Sequence, residues 1–230
     1  MEDSKQELTP NMRIKITEDG PYIVSGNIPL DEKIITPEHH HYVFTEGRPL
    51  NGGATYALCR CGKSSTPPFC DGSHVADHFD GTETASRLPY KERADIFTGP
   101  GIDLRDDNRC AFARFCHREE GDVWQLTDLS DDAYLRDEAI VASSECPAGR
   151  LQHFDKDGNE IEPHLEPRIT VLQDPQKGVS AGLYVQGGIP LESSDGTEYE
   201  VRNRYALCRC GASHNKPFCD AKHVRAHFEA

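Results

Sequence analysis

Long apolar runs are missing from this sequence of 230 residues, and hydrophobic side chains are few. No run of 18 apolar residues occurs, so no membrane-spanning helix is predicted. Only 36% of the residues are hydrophobic, with a single tryptophan, while glycine and proline number 19 and 15. This composition favours small, loop-rich modules over one large hydrophobic core. Such modules usually need a bound metal or another cross-link for stability.

The N-terminal segment MEDSKQELTP lacks the apolar stretch of a secretion signal, so we expect a cytoplasmic protein, or one of an organelle matrix in a eukaryote. Positive charge is also scarce, since 25 Lys and Arg against 39 Asp and Glu give a net charge of −14. Such a surface disfavours nucleic acid and anionic membranes and attracts a basic docking face, although acidity that only maintains solubility gives the same charge. No nucleotide-binding glycine loop, nucleophile elbow or acid–base pair is discernible, so an enzyme is the least favoured class.

Nine cysteines are the main positive feature. In a reducing compartment, cysteines indicate metal or redox chemistry rather than structural disulfides. Six of them lie in an internal repeat, because residues 56–79 and 205–228 are identical at 16 of 24 positions without a gap. The similarity extends upstream, where GPYIVSGNIPL at 20–30 resembles AGLYVQGGIPL at 181–191. The chain therefore contains two copies of one unit.

Each copy consists mainly of short β-branched or aromatic runs between Gly, Pro and Asp, a pattern that predicts strands. The one helix expected in each copy is short and begins at Asp71 or Asp220, since Asp is a favoured N-cap. The expected fold class is α+β and mainly β. We expect two small β-rich lobes, at residues 1–84 and 166–230, around an insert at residues 85–165.

Each copy presents three cysteines and one histidine at the same spacing. The candidate ligands are Cys59, Cys61, Cys70 and His74 in the first copy, and Cys208, Cys210, Cys219 and His223 in the second. Residues at i and i+2 of an extended segment point to one side, and residues at i and i+4 share one face of a helical turn, so each pair can take one metal atom. Three thiolates and an imidazole suit a structural zinc ion or a [2Fe-2S] cluster. The CxC pair is atypical of zinc fingers.

The first copy reads C-x-C-x2-S-x3-P-x-C-D-G-S-H from Cys59 to His74 and resembles the CDGSH iron–sulfur family. The second copy matches at all four ligands and departs at Ala221 and Lys222, where the lysine is expected to favour the reduced cluster. The resemblance implies one [2Fe-2S] cluster per copy. It places the CxC cysteines on an inner iron, and the third cysteine and the histidine on an outer iron near solvent. It also implies that the units pair, here as an intramolecular pseudo-dimer within a monomer.

Histidine ligation has consequences for the chemistry that the resemblance implies. A neutral imidazole in place of a thiolate reduces the negative charge, so potentials above the roughly −400 mV of all-cysteine plant-type clusters are expected. Both histidines can take up a proton near neutral pH, which would couple electron uptake to proton uptake and release the cluster on acidification. The same property would suit a sensor of pH or redox state.

The insert carries the remaining cysteines, Cys110, Cys116 and Cys146. Cys-x5-Cys with a later Cys-Pro is similar to divergent mono-cluster ferredoxins, with Ala113 where a middle cysteine would lie. That resemblance implies a ferredoxin-like α+β insert with a third cluster, [3Fe-4S] or [4Fe-4S]. His117 is an alternative fourth ligand, although we expect it to face solvent. The opposing hypothesis is a ferredoxin-like insert with buried thiols and no metal.

Within the insert, the segment DDAYLRDEAIVAS predicts a helix capped by Ser130 or Asp131. The expected function is electron transfer to or from a redox partner protein. The alternative is storage of labile clusters and their delivery to an apo iron–sulfur acceptor. A third hypothesis is a structural zinc protein that acts as an interaction module, which predicts a colourless protein.

Overall fold

The computed structural model describes residues 11–230, and the polar N-terminal segment at 1–10 lies outside the described residues. The first copy of the repeat forms β1 (Arg13–Ile16), β2 (Tyr22–Ser25), β3 (Leu30–Glu38), β4 (His41–Glu46), β5 (Thr55–Leu58) and α1 (Ser73–Ala76). Side chains alternate along β1, where Ile14 and Ile16 are buried and Arg13 and Lys15 face outward. This period of two is the strand pattern that the sequence predicts.

The insert forms a four-stranded sheet and a two-stranded sheet of its own, with three helices. Its elements are α2 (Tyr90–Arg93), β6 (Asp95–Thr98), β7 (Asp103–Asp106), β8 (His117–Arg118), β9 (Gly121–Asp122), α3 (Val123–Asp128), α4 (Ala133–Ser144), β10 (Leu151–Phe154) and β11 (Glu160–Ile161). The four-stranded sheet has the order β11-β10-β7-β6 with antiparallel neighbours. Leu104, Val123, Ala142 and Leu151 join this sheet to α3 and α4 in one apolar cluster.

The N-cap of α4 is Asp132 rather than the predicted Ser130 or Asp131. The Asp132 carboxylate accepts a hydrogen bond from the backbone N–H of Tyr134 at 2.9 Å. The Ser130 hydroxyl is instead buried against the β6–β7 turn, where it accepts from the N–H of Gly101 at 2.9 Å. Ser130 therefore bonds to a residue distant in sequence and does not cap α4, although local propensity predicts that it does.

The second copy forms β12 (Arg168–Asp174), a 3-10 turn (Pro175–Lys177), β13 (Val179–Gln186), β14 (Leu191–Glu192), β15 (Arg204–Leu207) and α5 (Lys222–Arg225). Two sheets contain strands of both copies, in the orders β14-β1-β2-β5 and β15-β13-β12-β3-β4. The copies are therefore interleaved in shared sheets and do not form separate lobes. The expected mainly β, α+β class is confirmed, while the domain limits at residues 84 and 165 stay predictions.

The two copies exchange strands reciprocally. β1 runs parallel to β14 with Ile14 opposite Leu191, and β12 runs parallel to β3 with Ile169 opposite Leu30. Ile14 and Ile169 occupy the same place in the repeat, as do Leu30 and Leu191. Contacts that recur with the partners interchanged are those of a two-fold dimer, so this single chain has the symmetry of an intramolecular pseudo-dimer.

The main core contains side chains of both shared sheets. Its buried members include Ile14, Ile16, Tyr22, Val24, Leu58, Ile169, Val171, Leu183, Val185 and Leu207. The Tyr22 hydroxyl lies in this core and donates to the carbonyl oxygen of Cys208, at 2.8 Å, in the opposite copy. Packing in one copy therefore positions the ligand loop of the other. In the part of the chain that the structure describes, no helix is both long and apolar enough to cross a bilayer.

Candidate metal centres

The CxC cysteines directly follow the ligand strands, β5 in the first copy and β15 in the second. The Sγ–Sγ distance is 3.7 Å between Cys59 and Cys61 and 3.6 Å between Cys208 and Cys210. All nine cysteines of the chain are free thiols. The sulfurs of each CxC pair therefore lie together, as the i, i+2 spacing predicts.

The third cysteine and the histidine of each copy form a second pair. Sγ of Cys70 lies 3.5 Å from Nδ1 of His74, and Sγ of Cys219 lies 3.5 Å from Nδ1 of His223. The N–H of Cys70 donates to the carbonyl oxygen of Ala57 on β5 at 2.9 Å, and the second copy repeats this bond at the same length. Backbone hydrogen bonds thus hold the outer pair beside the strand that leads to the inner pair.

The short helix begins at Ser73 rather than at the predicted Asp71, and the second copy shifts by the same two residues. The Asp71 carboxylate accepts hydrogen bonds from the N–H groups of Ser65 and Ser73 at 2.8 and 3.0 Å. Hydrogen bonds from these two serines keep the pKa of Asp71 well below its usual value. Cys70 therefore lies before the helix, and this Asp-centred turn brings its sulfur to His74.

The donor separations fit one metal atom per pair. A tetrahedral metal with metal–sulfur bonds of about 2.3 Å places two sulfurs about 3.8 Å apart, and a sulfur and an imidazole nitrogen about 3.6 Å apart. The four observed separations, 3.7, 3.6, 3.5 and 3.5 Å, agree with these values. Across residues 11–230, no group of three or more His, Cys, Asp or Glu side chains could hold one metal ion. Donors arranged in pairs suit a two-metal cluster better than a single zinc ion.

Burial and mutual contact set the protonation of the thiols. Burial raises the pKa of Cys61 to about 11 and moves that of Cys219 well above its usual value. The Cys210 thiol donates to Cys208, which lowers the pKa of Cys208 to about 6 and raises that of Cys210. Because metals bind thiolates, loading of these sites releases protons and becomes more favourable as pH rises.

The two ligand histidines differ in exposure. His223 is 2% exposed, whereas His74 is half-buried. Burial lowers the pKa of His223 to about 4, although the nearby Asp174 carboxylate opposes the shift. The expectation that both histidines take up a proton in competition with iron stays a prediction. The outer ligands lie in different surroundings despite the same ligand spacing.

The arginine between the two cysteines of each CxC motif has a structural role that the ligand pattern does not predict. Arg60 and Arg209 are each 2% exposed. Arg60 donates to the carbonyl oxygens of Thr17 and Gly20 at 2.9 and 3.2 Å, and Arg209 donates to that of Ala181 at 2.8 Å. Each arginine therefore ties a ligand loop to an upstream part of its own copy. Its identity in both copies is the signal that could have revealed it.

Cys116 and Cys146 pack against the same apolar cluster of the insert, and Cys146 also packs against a cluster that contains Ala111, the residue after Cys110. Burial, together with the nearby Cys146 and Cys110 thiols, raises the pKa of Cys116 to about 12. Burial also raises the pKa of Cys146. The N–H of Phe112 donates to Sγ of Cys110 at 3.3 Å. The structure thus brings together three side chains that are up to 36 positions apart in the sequence.

The loop at 110–116 is unusual in its backbone. Phe112 and Arg114 have φ of 60° and 68°, values that residues other than glycine rarely adopt unless their surroundings impose them. Ala113, where a middle cysteine would lie, is buried against the five-stranded sheet. The alternative ligand His117 is exposed, as expected. The loop is therefore held between its cysteines and the body formed by the two copies.

Comparison with known families supports the iron-site interpretation of the two copies. Residues 19–75 and 181–224 match the family described as iron-binding zinc finger CDGSH type. Both segments contain a complete set of three cysteines and one histidine, and they flank the insert. Searches of curated proteins and of solved structures found no match to the chain.

Proposed function

Because this chain carries two iron-binding domains of the CDGSH type, we propose that it is a redox protein that carries electrons on two [2Fe-2S] clusters. A bound cluster of this type supplies reversible one-electron chemistry. In each copy the CxC cysteines would hold one iron, and the third cysteine and the histidine would hold the other. The residues are Cys59, Cys61, Cys70 and His74, and Cys208, Cys210, Cys219 and His223.

The proposal is carried by the arrangement of the donors in two pairs, repeated in both copies. The Sγ–Sγ separations differ by only 0.1 Å between copies, since they are 3.7 and 3.6 Å, and both cysteine–histidine separations are 3.5 Å. The same backbone hydrogen bonds position the pairs in both copies. Ligands held by backbone contacts lose little conformational freedom on binding, which favours retention of a cluster.

We further propose that Cys110, Cys116 and Cys146 hold a third cluster, of the [3Fe-4S] or [4Fe-4S] type. The partial burial of the three cysteines, the packing of Cys116 and Cys146 against one apolar cluster and the constrained loop at 110–116 support this proposal. The positive charge of Arg150 acts on Cys110 and Cys116 and favours their thiolate forms. Three protein ligands suit a [3Fe-4S] cluster, or a [4Fe-4S] cluster whose fourth ligand is not a protein side chain.

The charge of the chain indicates its partner. With a net charge of −14, the protein would associate fastest with a redox protein that presents a basic face, and salt would slow that association. The reciprocal pairing of the copies within one chain supports a monomer, because the unit that needs a partner already has one. We place no enzymatic activity at these sites.

Anaerobic purification followed by iron, sulfide and zinc analysis and EPR spectroscopy tests the proposed function. About seven or eight irons are expected, of which about four belong to the two [2Fe-2S] clusters. About four irons with only a [2Fe-2S] signature would remove the third cluster and retain the CDGSH sites. A colourless protein with stoichiometric zinc would overturn the whole proposal in favour of structural zinc.

Replacing Cys146 with serine tests the third cluster alone. The iron content is expected to fall by about three or four atoms, with loss of the [3Fe-4S] or [4Fe-4S] EPR signal and retention of the [2Fe-2S] signals. Serine keeps the size of the side chain and removes the thiolate. Unchanged iron content and spectrum would exclude Cys146 from the ligand set.

Replacing His74 with cysteine tests the role of the imidazole. A thiolate adds negative charge to the N-terminal cluster, so its reduction potential is expected to fall toward about −400 mV while that of the C-terminal cluster stays unchanged. Potentiometric titration followed by EPR measures both. His223→Cys is the matched variant and should shift only the other potential. A His74→Cys variant with both potentials at their original values would contradict the ligand assignment.

A further inference from the structure

We infer that the insert closes over the outer ligands of the C-terminal CDGSH site, so that only the N-terminal site is open for exchange with other molecules. The inference rests on the proposed function, because it concerns clusters held at both sites. It assigns different tasks to two sites with the same ligands. The N-terminal site meets the partner, and the C-terminal site retains its cluster beside the insert.

The outer ligands differ in exposure between the copies. In the C-terminal site, Cys219 is 3% and His223 is 2% exposed. In the N-terminal site, Cys70 and His74 are both half-buried. The neighbouring Val75 on α1 is 69% exposed, which is unusual for a valine beside a metal site. The same four ligands at the same spacing therefore form one open and one enclosed site.

An ion pair between the insert and the second copy closes the C-terminal site on one side. Arg114, in the loop at 110–116, donates to both carboxylate oxygens of Asp174 at 2.6 and 3.0 Å. The two side chains are 9% and 1% exposed. Asp174 pairs with Val179 of β13, the strand on which α5 packs, so the ion pair lies beside the element that carries His223. A buried, bidentate pair of this kind holds its loop in one position.

Apolar contacts close the same site on another side. Cys219 belongs to a buried cluster with Ala206 of its own copy and with Ala111 and Ala148 of the insert, and Cys146 packs against that cluster. The loop that carries Cys110 therefore covers the C-terminal site while it holds a ligand of the third cluster. The insert thiols and the C-terminal site are direct neighbours.

The inner cysteines do not repeat the difference seen at the outer ligands, because Cys61 is buried and Cys210 is partly exposed. Cys61 and Cys210 border one shared cleft between the copies, together with Gly62 and Gly211. The cleft is lined by residues of both copies. The asymmetry therefore lies at the outer ligands, where the insert covers one copy and leaves the other open.

The open site has a surface suited to a basic protein. Around the exposed Val75 lie the exposed side chains of Asp71, Asp77 and Asp80. In a chain with a net charge of −14, such a site attracts a partner whose lysine or arginine side chains surround a small apolar contact. The C-terminal copy cannot offer the same surface, because Val224 is partly buried and α5 packs on β13.

Anaerobic cluster loss to excess EDTA, followed by visible absorbance, tests the inference. Iron passes to the chelator carboxylates, the freed thiolates take up protons from water, and sulfide leaves as hydrogen sulfide. The two [2Fe-2S] clusters are expected to disappear in two phases whose rates differ by about tenfold or more, because one site must first open locally. His74→Cys should slow the fast phase, and His223→Cys should leave it unchanged.

Two variants remove the ion pair, and a third serves as control. Arg114→Gln and Asp174→Asn should accelerate the slow phase about tenfold, toward the rate of the fast phase. Arg118→Gln breaks ion pairs with Glu138 and Glu145 within the insert, at 2.9 and 3.0 Å, and should leave both phases unchanged.

The outcomes separate this inference from the proposed function. If iron and sulfide analysis finds no [2Fe-2S] clusters, the proposed function fails before any rate is measured. If both clusters are present and disappear in one phase, or if His223→Cys rather than His74→Cys slows the fast phase, the inference alone is overturned. A slow phase that keeps its rate in both ion-pair variants would likewise overturn closure by the insert.

Discussion

Alanine at Gly62 or at Gly211 is expected to remove both CDGSH clusters and to lower the free energy of unfolding by about 3 kcal/mol or more. The two glycines lie where the CxC loops of the two copies cross. A Cβ atom at Gly62 would lie 2.6 Å from the carbonyl oxygen of Cys210, and one at Gly211 would lie 2.4 Å from that of Cys61. Both glycines have φ of 76°, which disfavours alanine in addition.

A clash at either glycine is expected to disturb both CDGSH sites. Each glycine belongs to one copy and touches the backbone of the other copy's inner cysteine, which cannot swing away as a side chain could. The loops must therefore separate, and each loop carries two ligands. Iron and sulfide content together with urea unfolding curves measure the effect.

Gly72→Ala is the matched control because it imposes backbone strain without a clash. Gly72 has φ of 89°, and among the described residues nothing lies within 4 Å of the position of its Cβ. The second copy already has Ala221 there, with φ of 66°. A loss of only about 1 kcal/mol with both clusters retained is expected. If Gly62→Ala and Gly211→Ala behave like Gly72→Ala, the loops do not cross as closely as described.

Arg204→Met is expected to lower the free energy of unfolding by about 3–5 kcal/mol and to remove the third cluster. Arg204 is 2% exposed and begins β15. It donates to the carbonyl oxygens of Ser143 and Cys146 at 2.8 and 2.9 Å and also pairs with Glu162. Methionine fills the space but leaves these buried acceptors unpaired. The first copy has Thr55 at this position, so only the second copy can hold the insert in this way.

The Arg204→Met substitution should remove the cluster of the insert and leave the cluster of the N-terminal site in place. Iron analysis and EPR should show loss of about three or four irons with the N-terminal [2Fe-2S] signal retained. Arg168→Met is the control, because Arg168 pairs with Asp31 at 2.6 Å in a more exposed position, with side chains 42% and 19% exposed. That variant should lose less than about 1 kcal/mol. Equal stability of the two variants would show that Arg204 does not anchor the insert.

The ligand sets and the fold class could be predicted because their signals are local or repeated. Three cysteines and a histidine at the same spacing, twice in one chain, predict two equivalent four-ligand sites, and the structure brings each set together in pairs. Alternating apolar residues in segments such as β1 predict strands, which the structure contains. The pairing of the copies follows from the repeat itself, because a unit that pairs across a dimer can pair with its own duplicate.

Local rules misplaced the elements whose side chains have distant partners. Propensity assigns Asp71 and Ser130 to helix caps. Asp71 instead binds Ser65 across the ligand turn, and Ser130 binds Gly101 at the start of the insert sheet. Arg60 escapes prediction for the same reason, since its partners Thr17 and Gly20 lie about 40 positions upstream.

The sequence by itself determined the chemistry of this protein: the number, type and spacing of the ligands in the two copies, and the acidic charge that its partners meet. Only the tertiary structure decided that the two sites are unequal. Their ligands are the same, so the difference arises from what covers them, and the Arg114–Asp174 pair joins residues 60 positions apart. Contacts of this kind depend on how the insert lies against the interleaved sheets, which no local pattern encodes.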